Sequence, residues 1–178
     1  VMQVVVYSQN LKPGDLPHVQ ALFDVLSEHG IAAYIYAPYL EEVKKKVKFK
    51  TNVGLFEGYR DFLVRKIDFV ITLGGDGTIL AAATLVRDTG VPILGINLGR
   101  LGFLATVSKT RIKEAIGFLV KGQYTIGERS LLHLESSPPL FGEMPFALND
   151  FTILKRDTSS MITIHTFVNG SYLNTYWA

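Results

Sequence analysis

Five consecutive residues, Gly74-Gly75-Asp76-Gly77-Thr78, have the composition of a phosphate-binding turn. They follow the apolar run Phe69–Leu73, which is typical of a buried strand, and they precede a helix-like segment, Ile79–Asp88. Glycine allows the backbone to turn sharply and to approach a ligand closely, because it has no Cβ. The free N–H groups at the start of a helix attract anions. The pattern therefore predicts an anion site between a strand and a helix.

Asp76 needs a separate explanation, because a carboxylate repels phosphate. It could hold a Mg²⁺ ion that bridges phosphate groups. It could instead act as general base for a substrate hydroxyl, since an aspartate with a pKa of about 3.9 is ionised at pH 7. A tight turn with a solvated capping aspartate is the alternative without chemistry. The sequence has neither the Lys-Ser/Thr pair of a Walker A loop nor a G-x-G-x-x-G fingerprint at this place.

A second glycine-rich stretch, Gly95–Leu104, follows the predicted strand Val91–Ile96. Ligands of open α/β sheets bind beyond the carboxyl ends of the strands, so both stretches would border one crevice if their strands are neighbours. Asn97 offers a donor and acceptors and is a candidate nucleotide-binding residue. Phe103 could stack on a base or fill the core. Arg100 could meet a phosphate or be solvated.

A third pair, Asn149-Asp150, precedes the apolar run Phe151–Leu154, and taken alone it is typical of a turn. The chain contains no cysteine, which excludes a disulfide scaffold and a zinc–thiolate site. Its four histidines lack the spacing of metal ligands, and we expect His133 and His165 to be structural.

Composition excludes several classes of protein. Of the 178 residues, 48% are apolar and 19% are charged, which is the balance of a folded chain and not of a disordered one. No apolar stretch approaches the roughly 18 residues of a membrane span. The net charge is only +2, and the one basic run, Lys44–Lys50, is most simply a solvated helix face or loop. We therefore expect no nucleic-acid and no membrane partner.

The first 122 residues alternate between strand-like and helix-like segments, which predicts a mostly parallel sheet with helices on both faces. Residues 40–59 are irregular and predict a long loop with a partial helix. A helix over Tyr59–Lys66 should turn Phe62 and Leu63 inward. Ser108 is expected to cap a further helix over Lys109–Val120. The remaining predicted elements are strands at Val4–Tyr7 and Ala32–Tyr36 and a helix over Pro17–His29.

Residues 123–178 predict a β-rich second domain. Leu131–Glu135 alternates between apolar and polar residues, and the runs Met161–Val168 and Tyr172–Ala178 flank Asn169-Gly170, a strong hairpin signal. The chain stops inside the last of these predicted strands. We therefore expect the second domain to be incomplete.

Taken together, the three clusters resemble the NAD kinase family. The matching stretches are GGDGTIL (Gly74–Leu80), GINLGRLGFLA (Gly95–Ala105) and LNDFTI (Leu148–Ile153), and the likeness covers most of the chain from about residue 68. Lipid kinases of the diacylglycerol type share the GGDGT pentapeptide. The second glycine-rich stretch and the Asn149-Asp150 pair favour NAD kinases.

The resemblance implies transfer of phosphate from ATP, or from polyphosphate in some members, to the adenosine ribose 2′-hydroxyl of NAD, with Mg²⁺ accompanying ATP. It implies that Asp76 is the base for that hydroxyl and that Gly74, Gly75 and Gly77, with Thr78, form the phosphate turn. It places Phe103 near the adenine. It implies further dinucleotide contacts for Asn149, Asp150, Ser160 and Trp177.

The resemblance also implies a cytoplasmic homodimer or homotetramer. Members of the family normally continue past the position of Ala178 with an Asp-Gly pair and a Ser/Thr/Gly-rich stretch that completes the dinucleotide pocket. Two other functions stay open at this point. One is a lipid kinase that shares the GGDGT motif, and the other is a dinucleotide-binding fragment without catalysis.

Overall fold

A computed structural model describes residues 1–100, 102–148, 150–156 and 160–177. Six strands form one sheet in which every neighbouring pair is parallel, in the order β3-β2-β1-β4-β5-β6. The strands are β1 (Gln3–Tyr7), β2 (Ala32–Tyr36), β3 (Gly54–Phe56), β4 (Phe69–Leu73), β5 (Ile93–Asn97) and β6 (Val107–Ser108).

Five α-helices connect and flank these strands: α1 (Leu16–Glu28), α2 (Ala37–Val43), α3 (Tyr59–Val64), α4 (Asp76–Val86) and α5 (Ile112–Val120). Short 3₁₀ turns at Pro13–Asp15 and Lys109–Arg111 lead into α1 and α5. Helix α1 ends where Gly30 adopts a φ of +64°, a left-handed conformation that favours glycine after a helix. The Ser108 hydroxyl accepts a hydrogen bond from the Thr110 N–H, which confirms the predicted cap.

The central strand β1 divides the apolar core into two layers, because successive side chains of a strand point to opposite faces. Val4 and Val6 pack with the buried faces of α1 and α5. Val5 and Tyr7 pack on the other face with Ala82 and Val86 of α4. The mostly parallel sheet with helices on both faces is therefore confirmed.

The strand order reverses between β1 and β4, since the chain first builds β1, β2 and β3 in one direction and then adds β4, β5 and β6 on the opposite side of β1. At such a reversal the loops that follow two adjacent parallel strands diverge, which opens a crevice at their carboxyl ends. The residues that follow β1, β4 and β5 meet there.

After α5 the described strands pair only in antiparallel hairpin-like pairs. Strands β7 (Leu131–His133) and β8 (Phe146–Leu148) form one pair. Strands β9 (Thr163–Val168) and β10 (Ser171–Trp177) form the other, and the turn between them has positive φ at both Asn169 (50°) and Gly170 (81°). The predicted hairpin is confirmed, and its turn has the backbone signature of type I′.

Several sequence expectations were wrong in detail. Residues 40–59 were expected to form a long loop with a partial helix. They include the end of α2, but they also contain β3, a short edge strand that lacks a strong apolar run. Leu63 is 64% exposed, and only Phe62 packs inward, against Phe56. In the β-rich part, β8 lies before the Asn149-Asp150 pair, whereas the apolar run Phe151–Leu154 after that pair has no regular secondary structure. Within the described ranges, no helix has the length and apolarity needed to cross a bilayer.

Candidate functional site

A cavity of about 460 Å³ opens at the carboxyl ends of β1, β4 and β5. Ser8 and Asn10 line it after β1, Gly74 and Gly75 after β4, and Asn97 at the end of β5. Helix α4 begins at Asp76, so its first turn points its free N–H groups and the positive end of its dipole toward this region. We call this space the switch-point cavity.

The backbone conformation and the packing of the protein itself explain why position 74 is a glycine. Its φ is +154°, and its N–H donates to the Ile96 carbonyl oxygen at 3.0 Å, which holds the turn against β5. An added Cβ would collide with the Thr78 hydroxyl and lie 2.9 Å from the Thr78 Cβ. Gly75 and Gly77 differ, because a Cβ at either position would meet no atom within 4 Å. The described chain itself therefore leaves room for a side chain at those two positions.

Asn97 contributes a buried hydrogen-bond donor to the cavity wall. The residue is 2% exposed, and its Oδ1 accepts a hydrogen bond from the Gly99 N–H at 2.8 Å, which fixes the side-chain orientation. Its Nδ2 has no hydrogen-bond partner among the described residues. An unpaired buried donor costs about 1–3 kcal/mol, so a ligand acceptor in the cavity would recover that free energy.

The charged residues that border the cavity favour an anion overall. Lys12 and Arg100 supply two positive charges, and Asp15 supplies one negative charge. None of the three takes part in an ion pair within the described part of the chain. Together with the helix start, the excess of positive charge suits a phosphate group.

Asp76 is engaged in the structure by three backbone donors of the second glycine-rich stretch. Its Oδ2 accepts from the Phe103 N–H at 2.8 Å, and its Oδ1 accepts from the N–H groups of Leu104 and Ala105, each at 2.9 Å. The hydrogen bond from the Ala105 N–H is the largest cause that lowers the pKa of Asp76. Partial burial opposes it, and the N–H groups of Leu104 and Phe103 add to the lowering, so the net shift of the pKa is downward. The carboxylate is therefore held ionised.

Phe103 presents its ring to solvent, with 96% of the residue exposed. The interpretation that this ring fills the core is therefore wrong. The exposed ring is available for stacking, so the interpretation that Phe103 stacks on a base stays a prediction.

A second cavity of about 440 Å³ lies between α4 and the β7–β8 pair. Leu80 and Thr84 of α4 line it on one side, and Leu131, Phe146 and Asp150 line it on the other. The structure thus places Asp150 in a different cavity from Gly74, Gly75, Thr78 and Asn97. Asn149 lies outside the described residues.

The structure does not bring Ser160 or Trp177 to the switch-point cavity. Both are exposed, Trp177 at 66%. Sequence reasoning missed Ser8 and Lys12, because neither residue lies in one of the three clusters that carry the motifs. Their signal was available in principle, since the first residues after a central parallel strand face the ligand crevice.

The described residues contain no group of three or more His, Asp or Glu side chains close enough to hold a metal ion. Oδ1 of Asp76 already accepts two N–H groups and Oδ2 accepts one, so only Oδ2 keeps capacity for a further partner. Direct ligation of Mg²⁺ by Asp76, one of the two roles raised from the sequence, would have to use that one oxygen, and it stays a prediction.

The parallel sheet and its strand reversal define a doubly wound α/β domain with an anion-favouring cavity at the carboxyl ends of its strands. A sequence model of the family described as "ATP-NAD kinase N-terminal domain" matches residues 9–124, more than half of the chain. The chain belongs to the NAD kinase family.

Curated relatives agree with this assignment. The NAD kinase of Cytophaga hutchinsonii is 37% identical over 178 residues, which cover 99% of this chain and 60% of the relative. The NAD kinase of Bacteroides fragilis is 38% identical over 177 residues, with the same coverage of 99% and 60%. The chain thus spans about three fifths of the length of these relatives.

Two solved structures share the fold. The yeast NADH kinase complexed with NADH superimposes with a TM-score of 0.74 at 19% identity, over 98% of this chain and 55% of that one. An NAD kinase from Archaeoglobus fulgidus in complex with ATP gives a TM-score of 0.65 at 22% identity, over 98% and 57%.

Proposed function

We propose that the protein carrying this chain transfers phosphate from ATP to the 2′-hydroxyl of the adenosine ribose of NAD, producing NADP. The observation that carries the proposal is the switch-point cavity, where the GGDGT turn, the start of α4 and the unpaired Asn97 Nδ2 meet. Membership of the NAD kinase family supports the substrate pair.

The donor phosphates are assigned to the switch-point cavity. Gly75 lines this cavity and leaves open space where a side chain would stand, so a phosphate oxygen can approach its backbone closely. Gly77 has the same open space but does not itself line the cavity. Lys12, Arg100 and the α4 dipole offset the negative charge. Phosphoryl transfer depends on positioning and charge neutralisation more than on covalent chemistry, and this cavity supplies both.

Asp76 is assigned to the acceptor hydroxyl. Its Oδ2 accepts only one hydrogen bond in the structure, so it keeps capacity for a second donor. A carboxylate with a lowered pKa is a weak base, and its main contribution is then to orient the hydroxyl and to receive its proton late in the transfer. Phe103 is assigned to the adenine, and Asn149, Asp150, Ser160 and Trp177 are assigned to the rest of the dinucleotide.

Mg²⁺ is expected to arrive with ATP, where it neutralises charge on the transferred phosphate. The residues that touch the cavity would hold the nucleotide and not the metal. Polyphosphate remains the alternative donor, and a homodimer or homotetramer remains the expected assembly.

The test is a substrate comparison with the protein that carries this sequence. It is incubated with ATP and Mg²⁺ and with NAD, or with diacylglycerol in mixed micelles, and the phosphorylated product is identified by mass spectrometry. We expect NADP and no phosphorylated lipid.

Phosphate on the lipid alone would replace the proposal by the lipid-kinase function. Calorimetric binding of NADP without turnover would replace it by a non-catalytic dinucleotide-binding function. Replacing ATP by polyphosphate in the same assay decides the donor.

A further inference from the structure

We propose that the Asp76 carboxylate is a clamp that holds the backbone of residues 102–105 in place, and that position 102 is a glycine because of this clamp. This role is distinct from that of a base, since it acts through the loop that carries Phe103. The part that concerns dinucleotide affinity rests on the proposed function, whereas the clamp itself does not.

The first argument is the number and arrangement of hydrogen bonds. Three consecutive N–H groups, those of Phe103, Leu104 and Ala105, converge on one carboxylate at 2.8, 2.9 and 2.9 Å. Consecutive N–H groups that point the same way form a concave anion-binding backbone. In this molecule the anion is a side chain of the neighbouring loop, 27 to 29 positions earlier in the sequence.

The second argument is the packing at Gly102. A Cβ at this position would lie within 2.6 Å of the Asp76 Oδ2 and would collide with the rest of the carboxyl group. The requirement is therefore one of space, and the group that needs the space is the carboxylate.

The third argument is what the clamp fixes. The Phe103 ring is 96% exposed, so little packing of its own holds it, while its backbone N–H is bonded to Asp76. A ring on an unrestrained loop loses conformational freedom when a ligand stacks on it, and a fixed backbone reduces that cost. The clamp thus makes Asp76 a positioning residue for Phe103.

The direct test is amide hydrogen exchange of residues 103–105, followed by NMR in the wild-type protein and in three variants. In the wild type all three amides should be protected. Asp76→Ala should release all three, with exchange at least about ten-fold faster. Asp76→Asn should release Phe103 alone, because the amide oxygen keeps two acceptor contacts while its NH₂ faces the third donor. Gly102→Ala should speed the exchange of all three amides, because the added Cβ displaces the carboxylate.

The matched control is Gly117→Ala in α5, where an added Cβ meets no atom within 4 Å. It should leave exchange at residues 103–105 and the activity unchanged. Dinucleotide affinity, measured by calorimetry, should fall by about three-fold for Asp76→Asn and about ten-fold for Asp76→Ala and Gly102→Ala, the worth of one and of several hydrogen bonds. The kcat values of Asp76→Asn and Asp76→Ala do not test the clamp, because loss of a base would lower kcat in both variants.

Unprotected amides at residues 103–105 in the wild type would overturn the clamp without any variant. Equal exchange and equal dinucleotide affinity in Asp76→Asn, Asp76→Ala and the wild type would overturn it as well. If the wild type forms no NADP but the exchange pattern holds, the proposed function fails and the clamp stands.

Discussion

The Ser8 hydroxyl donates a hydrogen bond of 2.6 Å to the Leu73 carbonyl oxygen, and so joins the end of β1 to the end of β4 where the strand order reverses. Ser8 is 3% exposed, so water does not replace this bond. Ser8 and Leu73 both line the switch-point cavity, so this bond joins two of its walls. Two adjacent strands whose loops diverge need such a connection if the loops are to face one ligand.

Removing this bond should destabilise the protein. Ser8→Ala leaves the Leu73 carbonyl oxygen without the hydroxyl in a buried place, and the expected loss in the free energy of unfolding is about 1–2 kcal/mol. Chemical denaturation measures it. Ser171→Ala on the exposed strand β10 is the control and should change stability by less than about 0.5 kcal/mol. Equal effects of the two substitutions would show that the Ser8 bond contributes nothing.

The glycines of the GGDGT turn should divide into two kinds. Gly74→Ala should unfold or strongly destabilise the protein, since it combines a positive φ with a collision at Thr78. Gly75→Ala should keep the wild-type melting temperature and raise the KM for ATP about ten-fold or more, because the ligand alone needs the space. Thermal melts and steady-state kinetics separate the two. An unchanged KM for ATP in Gly75→Ala would contradict the assignment of the phosphates to this turn.

Asn97 should act through its unpaired Nδ2. Asn97→Asp keeps an acceptor for the Gly99 N–H but places a negative charge where the donor stood. ATP that binds only the folded state stabilises it by about 2.7 kcal/mol at one hundred times its Kd, and this stabilisation should be lost in the variant. The control is Asn174→Asp, whose side chain makes a similar local bond to the Thr175 N–H on the exposed hairpin. If ATP still stabilises Asn97→Asp as it does the wild type, the Asn97 Nδ2 does not contribute to ATP binding.

The carboxylate of Asp76 should also make the free energy of unfolding depend on pH in the acidic range. Its pKa is lowered in the folded protein by the Ala105, Leu104 and Phe103 N–H groups, so its contribution is complete above the unfolded value of about 3.9 and is lost as the pH falls through the lower folded value. The difference in unfolding free energy between the wild type and Asp76→Asn should therefore stay constant above about pH 5 and shrink below pH 4. Denaturation at a series of pH values measures it. A difference that stays constant down to pH 3 would contradict the hydrogen-bond arrangement.

The same variant tests the chemistry. Asp76→Asn should lower kcat by about 10²–10⁴-fold, the usual contribution of a general base. Near-normal turnover would remove Asp76 from that role and leave only the clamp.

Much of the α/β architecture could be predicted from sequence because its strands are buried on both faces and read as unbroken apolar runs. Phe69–Leu73 is the clearest case, with all five residues buried. The edge strand β3 was missed because one of its three residues is exposed and one is only half-buried. Edge strands carry little of the pattern that burial imposes on central ones.

The site could be predicted only where the local sequence holds the reason. The GGDGT turn combines glycines with a strand and a helix in one stretch, and it was found directly. The contact between Asp76 and the backbone of residues 103–105 depends on β4 and β5 being neighbours, which no local pattern records. For the same reason, the resemblance could point to Asp150 as a candidate dinucleotide contact, but no local pattern assigns that residue to the second cavity.

The most direct measurement is a titration of the protein with ATP and Mg²⁺, followed by NMR of the backbone amides. We expect the amides of Gly74, Gly75 and Thr78 around the switch-point cavity to shift with saturation, while Leu131 and Phe146 at the second cavity stay in place. Shifts confined to Leu131 and Phe146 would contradict the assignment of the phosphate site.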